Sequence, residues 1–465
     1  MDAASVGGDA GAGAIARRER ESAGGTIRAE SPGERRTAPK RDKGPETALT
    51  EPIAGQALNA DARAAASRAV ALVLDGRGLT GLGVVRSLGR AGLEVWLAGP
   101  DPESLAGESR YVRRFQQVPA VELEPDRYMQ ALADWTAAQQ RPLVLYCTGD
   151  LTTGVVSPRR DQLPPNVIHH LATDRLVAAC LSKAAFSDLC VDLDIPAPRT
   201  RTCASEEALR VAVQELGEVF IKPDNRHRLW VGDAAAREAA SGIKGFVARS
   251  MQDVPDLVRN SLAKGYPWVA QEFVAGGADC LHSVHAYRDR TGRWTQCFVG
   301  QKLRTAPPRD GVGVLARSAW DEEAAELAEH ILARMDYRGY ALLQFKRDAR
   351  THRLFLIEIN PRYSTWCELA ERAGVNLPVV AYLDSLGVLP QPPRLRQRDG
   401  VYWWDVAGDW SNLRQRGAAW RDRLAGFVPP PRRPALARLA VDDLRPAVAG
   451  LGRVGRLFRR RWSGS

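Results

Sequence analysis

The stretch that most restricts the architecture is Phe355-Leu356-Ile357-Glu358-Ile359-Asn360-Pro361-Arg362. Its apolar and β-branched residues specify a strand, and proline ends it. Side chains alternate across a strand, so Glu358, Asn360 and Arg362 share one face for as long as the chain stays extended. A carboxylate, an amide oxygen and a guanidinium then stand in a row. Such oxygen ligands suit Mg²⁺, which keeps phosphate and water in its remaining positions. A guanidinium beside the metal suits a transferring phosphoryl group. An exposed polar edge face is the bland alternative. Upstream, Tyr340 to Asp348 reads as a second strand, and Ala349 to His352 turns it into a hairpin. One register of that hairpin sets Gln344 across from Glu358 and brings a further amide oxygen to the same face.

The 465 residues suffice for two or three domains, and 45% hydrophobic and 26% charged residues are ordinary for a globular chain. No uninterrupted apolar run is long enough to span a bilayer. There is no basic-then-apolar leader pattern, and the seven Cys form no C-x-x-C pair. A cytoplasmic location with reduced thiols is expected, without a zinc site. The net charge of +10 is unevenly placed: residues 394–465 hold 16 Arg and 6 acidic residues, whereas residues 1–66 are balanced. A basic patch therefore belongs to the C-terminus, and no nucleic-acid partner is expected for the body. The basic residues divide into 57 Arg and 8 Lys. A chain that uses Arg so widely keeps Lys where a compact ammonium binds phosphate as a point charge.

In chain order, residues 1–66 read as a disordered tail. Ala69 to Leu74 is a buried strand, Asp75 to Gly83 a glycine-rich turn, Val84 to Gly92 a helix and Leu93 to Ala98 a second strand. This βαβ unit approximates a dinucleotide fingerprint, which makes an NAD-linked oxidoreductase a competing reading. Gly99-Pro100 stands where an acidic residue would meet a ribose hydroxyl, and a structural tight turn is the alternative. Arg141 to Tyr146 is a further strand, with Asp150 beyond its end as a candidate substrate contact or turn residue. Thr173 to Val191 reads as one helix carrying Lys183. Val219 to Pro223 is a short strand with Lys222 at its end. The irregular, basic segment Asp224 to Gly245 reads as a lid over a polyphosphate, with Lys244 returning toward it. Trp268 to Val274 is a strand, and Leu281 to Tyr287 pairs with Trp294 to Gly300. His282 and His285, three apart, point to opposite faces and are not expected to share a metal. Lys302 and Arg304 are expected on one face, and Cys367 is expected to be an ordinary buried thiol.

This ordered set resembles the ATP-grasp superfamily, in particular its carboxylate–amine ligase-like branch. The carrying residues are Ser182-Lys183, Phe220-Ile221-Lys222-Pro223, Gln271-Glu272-Phe273-Val274 with Gly277 and Asp279, Lys302-Leu303-Arg304, Gln344 to Asp348, and Ile357 to Arg362. The resemblance implies an α/β chain, α+β in the ATP-grasp part: a Rossmann-like N-terminal domain, then a two-subdomain ATP-grasp fold. The expected borders are 67–165 for the first, 166–390 for the second and 391–465 for a basic Trp/Arg-rich extension. It also implies ATP with Mg²⁺ or Mn²⁺. Lys183, Lys222 and Lys244 would hold phosphates. Glu272 and Val274 would meet the adenine, and Asp279 the ribose. Gln344, Glu358 and Asn360 would hold the metal. Arg304 and Arg362, with Lys302, would steady the γ-phosphate and acyl phosphate. The implied activity is that of a ligase that activates a small carboxylate as an acyl phosphate for an amine or similar nucleophile, releasing ADP and phosphate. Two departures stand out. Gln344 replaces the family's usual carboxylate, which weakens a second Mg²⁺, and the lid is basic where the family has glycines. They motivate the alternative of a catalytically weak nucleotide-binding module. Its anchor would be the last helix, where Leu444, Val448, Leu451, Phe458 and Trp462 lie near one face among arginines. That helix would dock on the body, stay solvated, or touch an anionic membrane surface weakly.

Overall fold

The computed structural model describes residues 60–224, 245–306, 311–390, 396–415 and 427–449. Most of the expected tail, the segment 225–244 with Lys244, and the terminal stretch with Phe458 and Trp462 lie outside the described residues.

The first layer is a parallel sheet. Helix α1 (Ala60–Arg68) leads into β1 (Val70–Leu74), then come α2 (Leu79–Arg90), β2 (Val95–Gly99), β3 (Val112–Gln117), α3 (Pro125–Ala137), β4 (Leu143–Cys147), α4 (Asp150–Val156) and β5 (Val167–His169). The strand order is β3-β2-β1-β4-β5, all parallel. The apolar runs at β1, β2 and β4 are buried throughout, as a sheet covered on both faces requires. Three sequence expectations need correction here. Helix α1 starts inside the expected tail. Strand β5 pairs with β4 although it lies beyond the expected border at 165. The glycine-rich turn is short, because α2 begins at Leu79 and takes Gly81 and Gly83 into its first turns. A Cβ on Gly81 would stand 2.8 Å from the Asp75 carbonyl oxygen, so glycine there allows the helix to start against the end of β1.

The second layer is a four-stranded antiparallel sheet. Helices α5 (Asp174–Leu181) and α6 (Lys183–Asp192) lead to β6 (Thr200–Cys203), α7 (Glu206–Leu216), β7 (Val219–Pro223), β8 (Phe246–Ala248), α8 (Asp256–Ala263) and β9 (Trp268–Glu272). The order is β6-β9-β7-β8. Apolar faces of α7 and α8 pack on it through Leu209, Val213, Val258 and Leu262.

The third layer is seven-stranded. It comprises β10 (Leu281–Arg288), β11 (Trp294–Ala306), β12 (Val312–Ser318), α9 (Glu322–Arg334), β13 (Gly339–Arg347), β14 (Leu354–Asn360), α10 (Cys367–Arg372), α11 (Leu377–Ser385), β15 (Tyr402–Trp404), α12 (Val406–Gln415) and β16 (Ala435–Leu436). The order is β14-β13-β10-β11-β12-β15-β16. Strands β15 and β16 come from the expected extension, so part of that segment is built into the sheet. His282 and His285 of β10 have separate partners: His282 lies 3.1 Å from Asp321, whereas His285 is buried and hydrogen-bonded to the Tyr340 hydroxyl.

The extension also reaches the first layer. Asp443, wholly buried, accepts from Arg86 Nε (3.0 Å), Ser109 Oγ (2.7 Å) and the Arg110 amide (2.9 Å). Arg86 is buried as well and donates to the carbonyls of Ala437 and Arg438. Neighbouring Arg90 of α2 joins Glu368 and Glu371 of α10 to Asp442. These paired charges satisfy one another where water is excluded, and they tie α2, α10 and residues 437–443 together.

Candidate active site

A cavity of about 920 Å³ lies between the four-stranded and seven-stranded sheets and opens toward the ends of the parallel strands. Nine of the expected site residues line it: Lys183, Lys222, Glu272, Val274, Lys302, Gln344, Glu358, Asn360 and Arg362. Lys244 falls outside the described residues. Asp279 and Arg304 are absent from the lining.

The hairpin holds the centre of the site. Gln344 of β13 pairs directly with Glu358 of β14, as expected, through a register shift that follows the pairing of Phe345 with Leu356. Glu358 Oε2 accepts from Lys183 Nζ at 2.6 Å, and its Oε1 accepts from Asn360 Nδ2 at 3.0 Å. Burial by itself would raise the Glu358 carboxyl. The charges of Lys183 and Lys222 and these hydrogen bonds more than offset it, holding the group well below the usual carboxylate range.

Lys183 reaches Glu358 because the expected single helix Thr173 to Val191 is broken. Ser182 sits between α5 and α6 in extended geometry and caps α6, accepting from the Ala185 amide. A serine that can accept from an N-terminal amide favours ending one helix and starting another. Asp224, at the end of β7, accepts from the Ala184 amide at 2.8 Å and fixes that first turn. Lys222, 7% exposed, donates from Nζ to Gln271 Oε1 at 3.0 Å. Burial, and then the nearby charge of Lys183, lower its ammonium to about 7.

Lys302 Nζ donates to Gln344 Oε1 at 3.1 Å. Arg304 corrects the expectation that it shares that face. In a regular strand the two would point the same way, but the pairing of β11 with β12 shifts between them: Lys302 faces Ala316, and Arg304 faces its neighbour Leu315. The extra residue turns Arg304 out of the cavity. Its Nη2 lies 2.7 Å from Asp409, its Nη1 donates to the Val428 carbonyl at 2.8 Å, and its guanidinium stands 5.6 Å from the Trp404 ring.

At the opposite end, Arg362 grips Asp150 through two bonds, Nε to Oδ1 at 2.7 Å and Nη2 to Oδ2 at 3.2 Å. Asp150 opens α4 just past β4, so the first sheet supplies a carboxylate to the cavity together with Thr80, Thr148 and Gly149. The cavity's other rim is the strand end Gln271 to Val274 with Gly276 and Gly277. Asp279 is exposed on the short turn Ala278–Cys280 beyond them, where its carbonyl accepts from Gln301. Lys346 and Trp366 line the cavity and were not singled out as site residues in the sequence; Lys346 Nζ stands 4.8 Å from the Phe273 ring centre. Alternation along β13 from Gln344 was the available signal for Lys346. Trp366 follows the strand at no readable spacing. Cys367 is buried, and burial pushes its thiol up to about 12.

Among the described residues no group of three His, Cys, Asp or Glu side chains converges as a metal cage. What converges is one ionised carboxylate with the amide side chains of Gln344 and Asn360. That donor set fits a single hard cation whose remaining ligands are phosphate oxygens and water.

Comparison with known proteins follows the same lines. A family model described as ATP-grasp in the biosynthetic pathway with Ter operon matches residues 297–404. A D-aspartate ligase from Enterococcus faecium (strain Aus0004) is 22% identical over 247 residues, which are 51% of this chain and 58% of that protein. The match thus spans less than two thirds of that relative. Among solved structures, an N5-carboxyaminoimidazole ribonucleotide synthetase in complex with ADP superposes with a TM-score of 0.58 at 14% identity, covering 80% of this chain and 90% of the other. A carboxyaminoimidazole ribonucleotide synthase from Aspergillus clavatus, complexed with ATP, gives 0.54 at 15% identity, covering 73% and 81%. Biotin carboxylase from Campylobacter jejuni gives 0.53 at 12%, covering 73% and 75%. Residues 297–404 are thus similar to an ATP-grasp family model, and the α/β fold of the chain is that of the solved synthetases and biotin carboxylase above.

Proposed function

We propose that the protein is an ATP- and Mg²⁺-dependent ligase that activates a small carboxylate as an acyl phosphate and passes it to an amine. The observation that carries this reading is the convergence of Lys183, Lys222 and Lys302 on the Glu358–Gln344 pair inside one cavity between the four-stranded and seven-stranded sheets. Phosphoryl transfer needs positioning and charge neutralisation more than a side-chain nucleophile. Lys183 and Lys222 would hold phosphates. Glu358, with Gln344 and Asn360, would hold the metal, which supplies a Lewis acid for phosphate oxygens. Glu272 and Val274 would take the base edge through their backbone. Arg362 would steady the transferring group, while Asp150 keeps its guanidinium oriented until a substrate carboxylate competes for it. The similarity to a D-aspartate ligase supports an amine as acceptor.

The test is calorimetric titration of the full chain with AMP-PNP and Mg²⁺, beside Glu358→Ala, followed by a screen of carboxylates and amines for ADP release. Micromolar binding lost in the variant is expected. Wild-type protein that binds no nucleotide, or a variant that binds as well as wild type, would overturn the assignment.

A further inference from the structure

Resting on the ligase reading above, we infer that this protein works with one divalent cation per nucleotide, and that the Lys302 ammonium fills the position a second cation would take. Two-metal phosphoryl sites hold their cations a few ångströms apart and need anionic ligands for both. Here four strands present a row of facing residues: Glu358 pairs with Gln344, Gln344 with Ser283, and Ser283 with Gly300. The row holds one carboxylate. Beyond it stand an amide, a serine and a glycine, and the Trp366 ring lies against the glycine, 3.1 Å from where a Cβ on Gly300 would stand. Lys302, two residues past Gly300 and so on the same face, reaches across β10. Its Nζ meets Gln344 Oε1 at 3.1 Å. Of that oxygen's two lone pairs Lys302 therefore already takes one, which leaves one for the single metal and none for a second.

The bulge after Lys302 works the same way. By turning Arg304 to Asp409, it leaves Lys302 as the residue that β11 contributes to the cavity lining. Charge agrees with geometry. Lys183, Lys222 and Lys302 surround a single Glu358, and Arg362 is offset by Asp150. The remaining positive surplus matches a nucleoside triphosphate carrying one divalent cation, and a second divalent cation would overshoot it.

The experiment is Mn²⁺ titration followed by electron paramagnetic resonance, on the full chain saturated with AMP-PNP, with calorimetry confirming that the analogue is bound. One tightly bound Mn²⁺ per chain is expected in wild type, and two in Lys302→Met/Gln344→Glu. The near-isosteric Gln344→Glu alone, with Lys302 in place to pair with it, is expected to keep one. Two tight Mn²⁺ in wild type or in Gln344→Glu would overturn the inference. So would one in the double variant with an unchanged melting temperature. Failure to bind AMP-PNP at all would instead overturn the ligase reading beneath it.

Discussion

On the proposed function, with Lys222 holding a phosphate, nucleotide binding should take up a proton, and the environment of Lys222 sets how much. Its ammonium is buried at the end of β7, and burial, followed by the charge of Lys183, brings it to about 7 against an ordinary 10.5. Glu358 and Asp224 oppose the shift without cancelling it. At pH 8 the free protein therefore carries a proton on roughly one Lys222 in ten. A phosphate held by Lys222 would favour the ammonium and restore its ordinary value, so each nucleotide bound at pH 8 should draw in about 0.9 proton. Above pH 8 the Kd should rise about tenfold per pH unit, since each binding event must first protonate Lys222. The assay is calorimetry in two buffers of different ionisation enthalpy, between pH 8 and 9, where the nucleotide's own phosphates are fully deprotonated. In Lys222→Met the uptake should vanish and the pH slope flatten. Uptake below about 0.3 proton at pH 8, or equal uptake in the variant, would refute the reasoning. The sign for stability is opposite to that for binding. Between about 7 and 10.5 the unfolded chain holds the proton that the folded chain lacks. On this group's account the unliganded protein becomes more stable as pH rises through that window.

Three further outcomes follow from the packing. Asp443→Ala strands the buried Arg86 guanidinium beside its remaining carbonyl partners, and should cost about 3–5 kcal/mol in urea denaturation; a loss below about 1 kcal/mol would show the network to be dispensable. Arg304→Ala should leave Mg-AMP-PNP affinity within about twofold of wild type while lowering the melting temperature, because its partners are Asp409 and Val428 and not the cavity. Gly81→Ala should destabilise by about 1–3 kcal/mol, since its Cβ would stand 2.8 Å from the Asp75 carbonyl, and neither protein should bind NAD in a titration.

What the sequence determined by itself was local and periodic. The buried runs at β1 and β4 read as strands because they are five residues long and each is followed at once by turn residues; α11 buries Leu377 to Leu383 just as continuously, so the run alone does not decide. The hairpin that brings Gln344 and Glu358 together was legible, but the register set at its turn, Arg347 with Leu354, would face Gln344 with Ile357, and a bulge between Gln344 and Phe345 makes Glu358 its partner. Lys222 and Glu358 could be picked out because each is a charge at or near the end of an apolar strand. The half-buried edge strand β3 escaped, since VRRFQQ has no apolar run to announce it.

Tertiary structure decided everything that depended on distant partners or on one inserted residue. The break at Ser182 lies inside an apolar-periodic stretch, and Asp224, forty residues on, fixes the first turn beyond it. The bulge between Lys302 and Arg304 reverses a face, yet nothing in Lys302-Leu303-Arg304 marks it; the pairing with β12 and the buried Asp409 do. Asp150 meets Arg362 across 212 residues, and Asp443 meets Arg86 across 357. Contacts of that separation arise only after the sheets have closed on each other, so no local pattern of residue types records them. The physical division is between interactions whose geometry the backbone period already contains and those that exist only once the chain has folded back on itself.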